Sequence, residues 1–478
     1  METYKNFING KWVGTEATSE NINPSDTHDI LGVAAQSDAS HVSAAISAAR
    51  EAFPAWSTSP LQLRSQILDK AGNEILARRE ELARLLAREE GKTAREALGE
   101  VVRAGDIFKF MAGEVLRTPG ELLDSTRPGM RVEITREAVG VIAMITPWNF
   151  PLAIPAWKTA PALAYGNCVV LKPAELVPAS AQAMADILHR AGLPDGVFNL
   201  VLGKGSVIGP AMLEHPGIDA ISFTGSQGVG EDIARIAGQR MIRCQLEMGG
   251  KNPLVVMDDA DLDIAVDCAL DGAFYATGQR CTASSRLIVH HSIHDSFVER
   301  LAARVTALRV GHALDSETQI GPVVDRRQLD SNLRYVDIAR KEGAELLCGG
   351  GLIERPTPGF YMAPALFINT HNDMCINQQE VFGPVASVIK VADYDEALAV
   401  ANATRFGLSS GIVTQSLKYA SDFRRQAQAG MVMVNAPTAG VDPHVPFGGR
   451  KASSFGPREQ GRYAVEFYTT VKTSYIRP

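Results

Sequence analysis

The chain has 478 residues, 45% of them hydrophobic and 21% charged, with a formal net charge of −7. That is enough chain to bury large cores without help from metals or disulfides. The acidic balance leaves no broad basic surface, which excludes nucleic acid as a partner. Six cysteines, at positions 168, 244, 268, 281, 348 and 375, show neither C-x-x-C spacing nor pairing with histidine. This argues against zinc and against a disulfide framework, and fits a reducing compartment. The opening Met1-Glu2-Thr3-Tyr4-Lys5 holds no apolar signal core, and no run reaches the ~18 apolar residues of a membrane span. The expectation is a cytoplasmic protein without a bound metal.

In chain order, an extended start around Phe7-Ile8-Asn9-Gly10 gives way to a short helix over 44–53. A long helix is predicted over 61–90, where Ile67, Leu68, Ala71, Ile75, Leu82, Leu85 and Leu86 recur at the three-and-four spacing of one buried face. From residue 139 short apolar runs alternate with helices. The predicted strands are 139–146, 168–172, 198–202, 220–223 and 253–257, with helices over 179–190 and 228–237. Such alternation means parallel strands joined by crossover helices, a doubly wound α/β sheet. A helix over 262–277 leads into a second series, with strands near 287–290, 386–391, 409–413 and 431–435. Two α/β lobes imply a cleft between them. The segments 118–137 and 467–476 stand apart as edge strands, forming either a third small sheet or arms for a neighbouring subunit.

A doubly wound sheet binds ligands at the carboxyl ends of its strands. Two glycine-rich turns lie there, Gly203-Lys204-Gly205-Ser206-Val207-Ile208-Gly209 and Thr224-Gly225-Ser226-Gln227-Gly228-Val229-Gly230. Each alone is a weak signal, but together they suit an anionic ligand at helix N-termini. Glu175, just past the second strand, is either a surface carboxylate or the acidic residue that holds a dinucleotide's ribose hydroxyls. In the second role its charge disfavours a 2′-phosphate and favours NAD over NADP. Cys281 sits among Gly278, Gln279, Arg280 and Thr282 rather than in an apolar run, and Arg280 is placed to lower its thiol pKa. Glu247, followed by Met248-Gly249-Gly250, is either part of a solvent-facing turn or a general base near the cleft.

These pieces, in this order, resemble the NAD(P)-dependent aldehyde dehydrogenase superfamily from end to end. The resemblance is carried by Pro147-Trp148-Asn149-Phe150-Pro151, Lys172-Pro173-Ala174-Glu175, Phe223-Thr224-Gly225-Ser226, Glu247-Met248-Gly249-Gly250, Gly278-Gln279-Arg280-Cys281, Glu380-Val381-Phe382-Gly383-Pro384 and Pro446-Phe447-Gly448-Gly449. Met248 departs from the leucine usual in the family. The resemblance implies two doubly wound α/β lobes with a small β oligomerisation arm. Residues 1–117 and 138–247 would bind NAD, 248–449 would be catalytic, and 118–137 with 463–478 would form the arm of a homodimer or homotetramer. It implies Cys281 as nucleophile, Asn149 as oxyanion donor and Glu247 as the base for thioester hydrolysis. It also assigns Lys172 and Glu175 to the adenosine ribose, Trp148 and Ser226 to the pyrophosphate, and Glu380 and Phe382 to the nicotinamide end. Thr146, Gly205 and Met248 complete the cofactor contacts, with NAD the expected cofactor and NADP the alternative.

The stretches 279–286 and 440–450 resemble those of bacterial α-ketoglutarate-semialdehyde (2,5-dioxopentanoate) dehydrogenases. Many succinate-semialdehyde enzymes carry an arginine where this chain has Trp157-Lys158. The expected substrate is therefore a short acidic semialdehyde, with succinate semialdehyde or another small aldehyde as the alternative. Arg280 either pairs with the substrate carboxylate or points away as a structural residue; Trp157 and His444 are the other candidate substrate contacts. A CoA-acylating relative is disfavoured by Glu247, and a catalytically silent scaffold by the intact Cys281, Glu247 and Asn149.

Overall fold

A computed structural model describes residues 2–477. Its largest sheet has eight strands. Five of them are parallel and run in the order Arg243–Glu247, Ala220–Thr224, Val141–Ile145, Cys168–Lys172 and Phe198–Leu200. Short antiparallel strands flank them, Ser454–Phe455 on one side and Asn6–Ile8 with Lys11–Val13 on the other. The inner strands are unbroken apolar runs such as Val141-Ile142-Ala143-Met144, all buried, because helices cover both faces. The second sheet has seven strands: Glu345–Cys348, Ala365–Ile368, Val385–Val391, Arg286–His290, Pro253–Val256, Ser409–Val413 and Met431–Val434. All its pairings are parallel except the first. The two doubly wound lobes expected from the sequence are thus present.

The two outlying segments pair with each other. Thr469–Ile476, Arg131–Ala138 and Glu121–Asp124 form a separate antiparallel sheet that exposes Leu122, Leu123, Val471 and Tyr475. No helix among the described residues is long and apolar enough to cross a membrane.

Several elements differ from the sequence expectation. The long helix is two, Leu61–Ala77 and Arg79–Glu90, because Arg78 leaves helical geometry at φ −99° and ψ 16°. Helix Ala94–Glu114 went unpredicted although Thr93 and Glu96 form a reciprocal capping box at its start. Helix Ala153–Ala164 was hidden by Pro155 and Pro161, which sequence reading takes as breakers. Strand Arg243–Glu247 was also missed, since its polar Arg243 and Gln245 interrupt the apolar run.

Four of the five parallel strands of the first sheet bring a candidate site residue to their carboxyl ends, where Glu247, Thr224, Thr146 and Lys172 lie along one edge. The second lobe presents Cys281 to that edge from the turn after helix Leu262–Phe274.

Candidate active site

Cys281 is held by a constrained loop. After helix Leu262–Phe274 the chain passes through Ala276 and Thr277 at φ 51° and 56°, left-handed values that non-glycine residues rarely adopt. At Gly278, φ +64°, a Cβ would collide with the Gly383 carbonyl oxygen, so only glycine fits. Asn252 Nδ2 donates to the Cys281 carbonyl at 2.8 Å and to that of Ala283 at 3.0 Å. Asn149 Nδ2 donates to the Gln279 carbonyl at 3.0 Å, which fixes its amide beside the same loop.

Two cavities open to solvent meet at this cysteine. One, of about 870 Å³, is walled by Trp148, Asn149, Ser226, Met248, Glu380 and Phe382 among others; the second, of about 1010 Å³, by Glu100, Arg103, Phe150, Trp157, Arg280 and Phe447 among others. Cys281 and Ile154 belong to both walls.

The first cavity carries the marks of a dinucleotide site. Ser226 begins helix Gln227–Arg240 in extended geometry with no side-chain cap, so the first backbone N–H groups are free for an anion. The hydroxyl of Thr224, the Oε1 of Gln227 and the hydroxyl of Thr146 are buried without hydrogen-bond partners. Trp148 and Phe382 meet edge to face, 5.3 Å between centroids. The Glu380 carboxylate accepts the Gly250 N–H at 2.9 Å, and burial pushes its pKa up to about 7. Met248 is buried, its N–H bonded to the Ser453 carbonyl at 2.8 Å. Lys172, Glu175 and Gly205 cluster beyond this wall: Glu175 Oε1 accepts the Gly205 N–H at 2.8 Å, and a Cβ at Gly205 would lie 3.4 Å from Lys172 Nζ. Glu175 is exposed, while burial lowers the pKa of Lys172.

Glu247 is 2% exposed, so the solvent-facing turn is excluded. Its Oε2 accepts the Ser454 hydroxyl at 2.5 Å, and its carboxylate is in the wall of neither cavity. Burial and the neighbouring Glu459 carboxylate raise its pKa well above the usual range. Glu459 in turn is bonded to Lys158 and accepts Trp157 Nε1 at 2.6 Å; Lys158 also donates to Ser222 at 2.9 Å.

The second cavity differs from the sequence reading. Arg280 lines it, but its guanidinium is bound to Asp271, at 3.2 Å to Oδ1. Nor does Arg280 govern the thiol. Burial, followed by the Glu380 and Glu247 carboxylates, pushes Cys281 up to about 12, and the cation acting against that rise is Arg103. The expectation that Arg280 lowers this pKa is therefore corrected, because its charge is spent on Asp271. His444 is exposed and absent from both walls; the nearby stretch contributes Gly440 and Val441 instead. Trp157 offers its ring, tilted against Phe447 with centroids 5.3 Å apart, since its N–H is committed to Glu459. Arg103, Lys92 and Glu100 come from or just before helix Ala94–Glu114, and their only signal in the sequence was the Thr93–Glu96 capping pattern.

The aldehyde dehydrogenase family model matches residues 12–474. An α-ketoglutaric semialdehyde dehydrogenase of Bacillus subtilis (strain 168) is 44% identical across 100% of this chain and 99% of its own length. An α-ketoglutarate semialdehyde dehydrogenase of Haloferax volcanii is 45% identical over 98% of each chain. A crystal structure of betaine aldehyde dehydrogenase from Staphylococcus aureus in complex with NAD+ superposes with a TM-score of 0.97 at 34% identity, covering 99% of this chain and 95% of that one.

Proposed function

The chain belongs to the aldehyde dehydrogenase family, and from that premise we propose that it oxidises a short acidic semialdehyde of the α-ketoglutarate semialdehyde type with NAD. The observation that carries this reading is the meeting of two cavities at Cys281, one suited to a dinucleotide and one to an aldehyde.

In this reading Cys281 attacks the aldehyde carbon and forms a thiohemiacetal. Burial disfavours the thiolate, so the thiol gives up its proton to water in the open cavities as the sulfur attacks. Asn149 Nδ2 commits one N–H to the Gln279 carbonyl and has a second for the oxyanion, alongside the Cys281 backbone N–H. Such a donor is worth about 3 kcal/mol because it meets charge that develops only during reaction. Bound NAD would accept the hydride that leaves the thiohemiacetal carbon as the thioester forms. Trp148 and Ser226 would hold its pyrophosphate, Glu380, Phe382 and Met248 the nicotinamide end, and Lys172 and Glu175 the adenosine ribose, with Thr146 and Gly205 alongside. Glu247 then activates water against the thioester. Its carboxylate is turned to Ser454, so a side-chain rotation precedes that step.

Glu175 on the Gly205 N–H supports NAD over NADP, since a 2′-phosphate would face a carboxylate. The small antiparallel sheet, with Leu122 67% exposed and Tyr475 57%, supports a homodimer or homotetramer.

The test is a kinetic screen of α-ketoglutarate semialdehyde, succinate semialdehyde and neutral aldehydes of matching length, with NAD or NADP and with or without CoA. The expected result is the highest kcat/KM for the five-carbon acidic substrate with NAD and no need for CoA. A preference for neutral aldehydes overturns the acidic reading, a CoA requirement the hydrolytic one, and an NADP preference the argument from Glu175.

A further inference from the structure

The charges around the substrate-side cavity leave one group unanswered. Lys92 Nζ bonds to Glu100 at 2.6 Å and to the Asn149 carbonyl at 2.6 Å. The second oxygen of Glu100 accepts the N–H groups of Leu152 and Ala153, at 2.9 and 3.1 Å. Glu96 is committed to Thr93 and to the Ala276 N–H, and Arg280 to Asp271. Arg103 has no carboxylate partner among the described residues. Its one hydrogen bond there runs from Nη2 to Gln460 Oε1 at 3.1 Å, and its Nε is buried with no partner at all.

The guanidinium is nonetheless held in place. It lies over the Trp157 ring at 5.4 Å, and that ring is anchored through Nε1 to Glu459. Gln460, its one hydrogen-bonding partner, stands at φ 61°, a strained value for a residue with a side chain, and its own Nε2 is buried without a partner. Backbone strain and orphaned donors at one place mark a site completed by something else. Arginine presents a planar fork of donors that matches a carboxylate, and a half-buried guanidinium with no counter-ion offers that fork to an anion entering the cavity. Arg103 lines the same cavity as Cys281, and its charge is felt at the thiol.

We propose that Arg103, positioned by Gln460 and Trp157, is the residue that binds the substrate carboxylate and selects acidic semialdehydes over neutral ones. The inference rests on the acidic-substrate reading given above and names the group responsible for it. The aldehyde carbon lies at Cys281 while the far carboxylate docks on the guanidinium, so the spacing between the two measures substrate length. Arg280, bound to Asp271, has no such part.

The experiment compares wild type with Arg103→Met and Arg103→Gln by the ratio of kcat/KM for α-ketoglutarate semialdehyde to that for pentanal. The ratio is expected to fall by about 100-fold or more in both variants, the range seen when a polar reader of a substrate group is removed. The Ki of glutarate, a five-carbon dicarboxylate with no aldehyde, should rise at least ~10-fold. A merely structural role would lower both substrates together and leave the ratio in place. A ratio within about threefold of wild type in whichever variant folds overturns the assignment. A wild-type enzyme without preference for the carboxylate overturns the acidic-substrate reading itself, which is a separate and distinguishable result.

Discussion

The two cavities that flank Cys281 are made of different material. The wall on the Trp148 side joins backbone, the open N-terminus of helix Gln227–Arg240 and the close-packed Gly225 and Gly249, to aromatic rings and a single carboxylate, Glu380, seated on a peptide N–H. The wall on the Trp157 side carries the long charged side chains of Lys92, Glu96, Glu100, Arg103 and Arg280, each committed to a partner except Arg103. The backbone part of the first wall cannot be altered by exchanging one side chain, and it suits a ligand common to many relatives. A side-chain wall is rewritten by one substitution, which is how enzymes on one scaffold come to differ in substrate.

This contrast can be broken from the centre outwards. Cys281→Ala removes the atom that both cavities share and should cost at least ~10⁴-fold in turnover. NAD titration should meanwhile remain close to wild type, since the cofactor wall is intact; substantial residual NADH formation would refute the nucleophile. Glu247→Gln keeps the shape but cannot accept a proton from water, so steady-state turnover should fall by about 10²-fold or more. Stopped-flow absorbance should then show a burst of NADH as the acyl-enzyme accumulates. An unchanged steady-state rate would count against Glu247 as base.

The smallest effect sharpens the contrast by pH. Glu380 titrates at about 7, and it is the ionised carboxylate that accepts hydrogen bonds from ribose hydroxyls. NAD affinity should therefore rise several-fold between about pH 6 and 8, and Glu380→Gln should flatten the dependence. Arg103 stays charged across this range, so the preference for an acidic aldehyde should not follow the same curve. Isothermal titration of NAD at three pH values separates the two sides.

The parallel strands were legible because continuous apolar runs bounded by glycine and proline admit few other readings, as 168–172 illustrates. The grouping of Ser226, Glu380 and Phe382 around one cavity was legible for a related reason: they lie in short contiguous motifs whose meaning is local. The wall on the Trp157 side was not. Arg103 sits mid-helix among Glu100, Val101 and Val102, where a charged residue reads as solvated surface. Its place at the cavity depends on Trp157, Gln460 and Cys281, which lie 54, 357 and 178 positions away in the chain. Arg280 misled for the converse reason. Adjacency to Cys281 in sequence suggested influence on the thiol, whereas the turn through Ala276 and Thr277 sends its guanidinium back to Asp271. His444 failed in the same way, its neighbours Gly440 and Val441 facing inwards while its own ring faces solvent.

The contact of Gly278 against Gly383 ties the sulfur-bearing turn to the strip that carries Glu380 and Phe382. The two jaws of a caliper behave this way: a breathing motion that displaces one drags the other along, and the gap between them is preserved. Inserting even a methyl group at position 278 would pry the jaws apart, misaligning donor and acceptor without touching any reacting atom.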